Sequence, residues 1–200
     1  MNKLLVLLSS VLLSTSTLAM SGHVGISTDY MWRGQTQSDH GLAVNFGIEQ
    51  DLGQGFYIGN WNSSVDIDGD RELESDFYGG FTKSFESGFW FNGEYIAYRY
   101  SGDNSDGLDF EEIVIGLSYA DFGLTFALGQ DGAPDYTEVS YALGAFGFSY
   151  GEYDDYGDNF GISYGFTCGS YDCGFAYSDF SDTGYGADED AFVFSVSASL

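Results

Sequence analysis

The chain has 200 residues, with 29 glycines, 18 phenylalanines, 16 tyrosines and a single proline. Thirty-one acidic residues stand against five basic ones, giving a formal net charge of −26. The charge repels nucleic acid and anionic ligands and makes cations the natural partners, the aromatic content excludes a disordered chain, and the scarcity of strong helix formers points away from helical folds.

Met1, Asn2 and Lys3 precede an apolar run from Leu4 to Leu13, and Thr17-Leu18-Ala19 offers small residues for cleavage. This is the layout of a secretory signal peptide over residues 1–20, its apolar run too short to span a bilayer as a helix. An N-terminal anchor is the alternative. Residues 21–200 then form one domain. A chain without spanning helices can still cross a membrane, because a closed β-barrel also satisfies every backbone group in lipid.

Twelve alternating segments follow. Strand one is expected over Gly22–Arg33, with Val24, Ile26, Thr28, Tyr30 and Trp32 on one face and Ser27, Asp29, Met31 and Arg33 on the other. Strand two (Leu42–Gln50) turns Leu42, Val44, Phe46 and Ile48 outward and Asn45 and Glu49 inward. Strand three (Phe56–Val65) sets Asn60, Asn62 and Ser64 opposite Tyr57, Trp61 and Val65. Strand four (Leu73–Ser84) sets Phe77 and Phe81 against Glu74 and Asp76, and strand five (Phe89–Tyr100) sets Phe91 and Tyr95 against Asn92 and Glu94. Strand six (Asp109–Tyr119) opposes Ile113, Ile115 and Leu117 to Glu112, and strand seven covers Gly123–Gly129. Strands eight (Tyr136–Gly144, carrying Glu138) and nine (Phe146–Glu152) follow, or one bent strand in place of the two. Strands ten (Phe160–Phe166) and eleven (Asp172–Asp179) precede a last strand, Ala191–Leu200, in which Phe192, Phe194, Val196 and Ala198 alternate with serines and Val193. Period two is the strand signature.

The connections alternate in length. Those after even-numbered strands are tight, such as Ala120-Asp121-Phe122. Those after odd-numbered strands are longer and polar: 34–41, 66–72, 101–108, 130–135, 153–159 and 180–190. Short periplasmic turns, long external loops and aromatic residues at strand ends are the marks of an all-β, antiparallel, up-and-down transmembrane barrel in the outer membrane of a Gram-negative bacterium. A soluble β-sandwich is the alternative, but it does not demand alternating links.

The segment Gly25-Ile26-Ser27-Thr28-Asp29-Tyr30-Met31-Trp32-Arg33-Gly34-Gln35-Thr36 resembles the opening motif of the TorF-type porins, proteobacterial outer-membrane proteins containing Gly, Cys and Trp. Gly55-Phe56-Tyr57-Ile58-Gly59-Asn60-Trp61 resembles that family's next block. The resemblance implies an outer-membrane barrel and a channel, and supplies no catalytic residues.

The expected lumen face gathers Asp29, Glu49, Glu74, Asp76, Glu94, Glu112 and Glu138, with Arg33 nearly alone among cations and a candidate partner for Asp29 or a neighbouring carboxylate. Acidic rings favour cation passage, or the same acids fill a closed interior. Asp66, Asp68 and Asp70 alternate as in a calcium loop, but Arg71 stands where such a loop requires Gly; a solvated acidic loop, loosely holding Ca²⁺ or Mg²⁺, is the other reading. Cys168 and Cys173 flank a predicted periplasmic turn, where a structural disulfide is expected in an oxidising compartment. His23 and His40 are the only histidines; a Ser-His-acid set at the rim would need His40, and no spacing supports it.

These features point to a porin-like channel, not an enzyme, for passive diffusion of cations or small neutral solutes. The alternative is a non-conducting surface protein whose acidic loops bind divalent cations, lipopolysaccharide or another partner.

Overall fold

The computed structural model describes residues 19–154, 156–183 and 188–200. Residues 1–18 of the expected signal peptide therefore lie outside the described residues, as do parts of the last two acidic loops. Among the described residues there are fourteen strands: β1 (Met20–Ser27), β2 (Met31–Trp32), β3 (Gln35–Thr36), β4 (Ala43–Gly53), β5 (Phe56–Ile67), β6 (Asp70–Ser84), β7 (Phe89–Ser101), β8 (Phe110–Tyr119), β9 (Phe122–Gly129), β10 (Tyr136–Leu143), β11 (Phe146–Tyr153), β12 (Gly157–Cys168), β13 (Tyr171–Asp182) and β14 (Glu189–Ser199). Twelve of them form one closed antiparallel barrel, sealed where β1 pairs with β14. The remaining two, β2 and β3, are a separate small hairpin. No helix occurs among the described residues.

Closure removes the exposed sheet edge. Alternation then decides which side chains meet lipid. Val24, Ile26, Phe46, Ile48, Phe77 and Phe175 stand exposed on the outer face, an arrangement stable in hydrocarbon and not in water. Rings ladder across neighbouring strands on that face, with Phe166–Phe175 centroids at 5.7 Å and Phe175–Phe194 at 5.0 Å. Glycines and serines take many of the inward positions opposite them, on β10 to β14 especially.

Strand β5 is turned the other way from a simple polar-inside rule. Asn60 and Asn62 pair with outward Ile48 and Phe46, so Asn60, Asn62 and Ser64 face out while Tyr57, Trp61 and Val65 face in. The outward amides are satisfied locally. Asn62 donates to Asn60 Oδ1 at 2.6 Å, Ser75 Oγ donates to Asn62 Oδ1 at 2.8 Å, and Asn60 donates to the Asp76 carbonyl at 3.1 Å. Arg99 and Glu111, an ion pair, continue this stripe on β7 and β8.

Two loop expectations also change. The segment 66–72 is not a loop: β5 and β6 run on to Asp68-Gly69, a two-residue turn with φ of 55° and 89°. Both positive values are those of a type I′ hairpin turn. Strand one stops at Ser27, because the chain leaves the wall there and re-enters only at β4. Strands β10 and β11 are two strands, joined at Gly144-Ala145. At the end of the barrel carrying the tight turns, Cys168 and Cys173 form the expected disulfide, Cα–Cα 5.9 Å, around the turn between β12 and β13. That turn is shorter than expected, since Cys168 already pairs with Tyr171.

Candidate functional site: the lumen and its inward hairpin

The segment between β1 and β4 folds into the barrel. Wall pairing ends at Thr28, whose N–H reaches the Phe194 carbonyl at 3.0 Å. Asp29, 4 % exposed, then staples the segment to itself: it accepts from Thr36 Oγ1 at 2.7 Å and Ser38 Oγ at 2.9 Å, and lies 2.9 Å from His40 Nδ1. The Gln37 carbonyl accepts from Asp66 N at 2.9 Å, and Glu189 accepts from Thr36 N at 2.8 Å, anchoring the base to β5 and β14. Asp29 thus staples the loop while bordering the larger lumen space, and it does not pair with Arg33.

Arg33-Gly34 forms the tip, with φ of 49° and 89°. The tip crosses the bore to β8, where the Arg33 guanidinium donates to both Glu112 oxygens at 2.7 and 2.8 Å. Tyr98 OH donates to Glu112 as well, at 3.0 Å. The cation sits 4.3 Å from the ring centres of both Trp32 and Tyr136. Burial works against its charge, but the Glu112 bonds and the Glu112 charge outweigh it and hold the Arg33 pKa above its ordinary range. Gly34 rests against Asn159 and Phe180. Around the tip, Ala127, Tyr136, Tyr153 and Phe180 form a core inside the barrel, with Trp32 and Val114 packed on it. This aromatic socket is not named by the strand pattern. Its signal in the sequence is Gly34 alone, an isolated glycine in a strand pattern that marks a break or a close backbone approach.

The hairpin divides the interior. On the loop side, a cavity of about 500 Å³ lies between Trp32, Pro134 and Tyr156. On the turn side, the larger space, about 770 Å³, runs from Arg33 and Gly34 along serine- and glycine-lined strands to Ala120 and Asp121 in the turn between β8 and β9. Glu138 lines it and accepts from Tyr136 OH at 3.1 Å. The other half of the lumen is acidic and aromatic. Glu74 accepts from Tyr30 OH at 3.1 Å, Glu94 from Tyr57 OH at 2.7 Å, and Glu49 lies 3.4 Å from Tyr78 OH. Glu49, Glu74, Asp76, Glu94, Glu112 and Glu138 all project inward, and Arg33 answers only Glu112.

The remaining candidates disperse. Asp66 Oδ1 accepts from Gly69 N at 2.9 Å and Asp70 accepts from Asn104 at 3.0 Å, so the acids of that turn cap backbone and side-chain donors. Among the described residues no three His, Cys, Asp or Glu side chains converge as metal ligands. His40 contacts Asp29, but the Ser38 hydroxyl donates to Asp29 and the Gly41 carbonyl rather than to His40, so no nucleophile–base pair is assembled there.

The barrel is similar to solved membrane proteins. KdgM porin matches with a TM-score of 0.55 at 9 % identity, over 90 % of this chain and 98 % of that one. A structure from a study of in-meso crystallisation of membrane proteins matches with a TM-score of 0.54 at 12 % identity, over 90 % and 83 %. Outer membrane phospholipase A from Escherichia coli is a looser match, at a TM-score of 0.41 and 14 % identity over 92 % and 97 %. No curated protein matches the chain by sequence. Residues 13–193 match the model of Gcw_chp, a family described as bacterial proteins of unknown function, and the chain belongs to that family.

Proposed function

We propose that the protein is a porin-like outer-membrane channel that passes small cations, and small neutral solutes with them, through a lumen narrowed by its own inward hairpin. One observation carries the sign of the charge: among the described residues at least six inward carboxylates face one inward guanidinium, and that guanidinium is already paired with Glu112. In a narrow bore of low dielectric such an excess concentrates cations and repels anions. The likeness to KdgM porin and the resemblance of the first strand to TorF-type porins support a channel on this barrel.

Oriented with its tight turns in the periplasm, the protein exposes Glu152, Asp158, Asp179 and Asp190 on the outward face of β11 to β14 near the loop end. Lipopolysaccharide phosphates bridged by Ca²⁺ or Mg²⁺ are a fitting partner for that acidic rim.

Purified protein in planar bilayers tests the reading. Discrete conductances with a cation-selective reversal potential under a salt gradient are expected, and an anion-selective potential refutes the charge argument. The hairpin that spans the bore favours a second reading, a non-conducting surface protein, which silent bilayers together with loop-dependent binding would support.

A further inference from the structure

On the β4 to β7 side of the lumen, below the hairpin, lies a cavity of about 420 Å³. Its walls bring the carboxylates of Glu49, Asp76 and Glu94 together with the rings of Trp32, Trp61 and Tyr78. None of these acids takes part in an ion pair among the described residues. Phenols answer part of their charge, from Tyr57 to Glu94 and from Tyr78 to Glu49. Asp76 is different. It is 9 % exposed, and its buried Oδ1 has no hydrogen-bond partner. Beside it, Glu74 at 2 % exposure leaves Oε2 without one. Those two oxygens are sealed and lie toward each other's carboxyl group, so the acids that open to the cavity are Glu49, Glu94 and the remainder of Asp76, and the complement of such a buried acidic group is a cation that donates hydrogen bonds.

We infer that this cavity binds a small organic ammonium ion of the alkylamine or diamine class. The volume falls within the range of small-molecule pockets and far exceeds that of a bare ion. Trp61 and Tyr78 supply aromatic rings of the kind that attract ammonium groups, Trp32 being already occupied by Arg33 at 4.3 Å, whereas no three ligands among the described residues converge as a metal would require. Several acids in one cavity favour more than one ammonium group. The site deepens the channel reading and rests on it for the route by which a solute arrives.

The test is titration of the purified full chain in detergent micelles with 1,4-diaminobutane, followed by tryptophan emission, since Trp32 and Trp61 line the cavity. A saturable change is expected, absent with 1,4-butanediol and with sodium chloride at equal ionic strength. Asp76→Asn and Glu94→Gln should each weaken it by on the order of tenfold, while Asp106→Asn in the 102–109 loop leaves it unchanged. Folding of each variant is checked by gel mobility of unboiled against boiled sample; if Asp76→Asn fails to fold, Glu94→Gln carries the test. No saturable response, or variants that bind like the parent, overturns the site. Saturable binding by a protein silent in bilayers keeps the site and removes the channel; conductance without amine binding does the reverse.

Discussion

Arg33 and Glu112, 79 residues apart in sequence, meet inside the barrel as a two-pronged ion pair at 2.7 and 2.8 Å. Glu112 is 1 % exposed, so Arg33→Ala strands a buried charge. The expected cost is about 3–5 kcal/mol, read as a lower urea midpoint in detergent. Arg33→Ala with Glu112→Ala should cost less than the sum of the two single changes, because the pair is coupled. Freeing the hairpin tip should also raise single-channel conductance. An unchanged conductance would place the narrowest point of the bore away from the hairpin.

Gly34 and Gly69 share a φ of +89°, which makes them a matched pair. A Cβ on Gly69 meets open space, whereas one on Gly34 would lie 2.6 Å from Asn159 Cβ and 3.0 Å from Phe180 Cβ. Gly69→Ala is therefore expected to cost only its backbone strain, about 1 kcal/mol. Gly34→Ala adds a clash with two strands and should cost roughly 2–4 kcal/mol. Equal losses in chemical unfolding would show that the tip is not seated against β12 and β13.

The contrast between those two turns also explains what the sequence could and could not reveal. The wall was legible because a strand facing lipid on one side and the lumen on the other must alternate, as β4 and β14 do. Strand β5 misleads because aromatics suit either side: Tyr57 and Trp61 are needed inside, against Asn92, Glu94 and Tyr30, so Asn60 and Asn62 turn out and bond to each other. Asp68-Gly69 carries a hairpin signal in its own right, which the run of acids around it obscures. The inward path of residues 28–42 was the hardest to see. Its alternation continues past Ser27, and the Arg33–Glu112 contact that fixes it is long-range. The inward acids of the wall follow from alternation, whereas Asp29 reaches the lumen on the segment that leaves the wall.

The Cys168–Cys173 disulfide closes a short loop, with a sequence separation of 5. Constraining so few residues removes little freedom from the unfolded chain, and the chain-entropy relation gives about 2 kcal/mol. The β12–β13 ladder holds the same register from Gly157 to Cys168 without it. Cys168→Ser with Cys173→Ser is thus expected to fold, to keep its heat-modifiable gel mobility, and to lower unfolding free energy by no more than about 2 kcal/mol. Loss of the folded band would show that the bond guides assembly rather than trimming the unfolded state.

The outward pair Arg99–Glu111 gives the sharpest test of where lipid begins. Arg99 also donates to the Tyr98 and Phe110 carbonyls, at 2.8 and 3.2 Å, and its side chain is 37 % exposed against 21 % for Glu111. Near the loop end of β7 and β8, a charge facing hydrocarbon costs less than at mid-bilayer but still costs. Arg99→Leu alone leaves Glu111 without its partner and should destabilise by about 1–3 kcal/mol, a figure reduced for partial exposure. Replacing both by leucine removes the two charges together and should restore or exceed the parent's stability in vesicles, as apolar substitutes for ion pairs often do. If the double replacement is as unstable as the worse single one, the stripe formed by Asn60, Asn62, Ser75, Arg99 and Glu111 is covered by something polar, and that part of the wall does not face acyl chains.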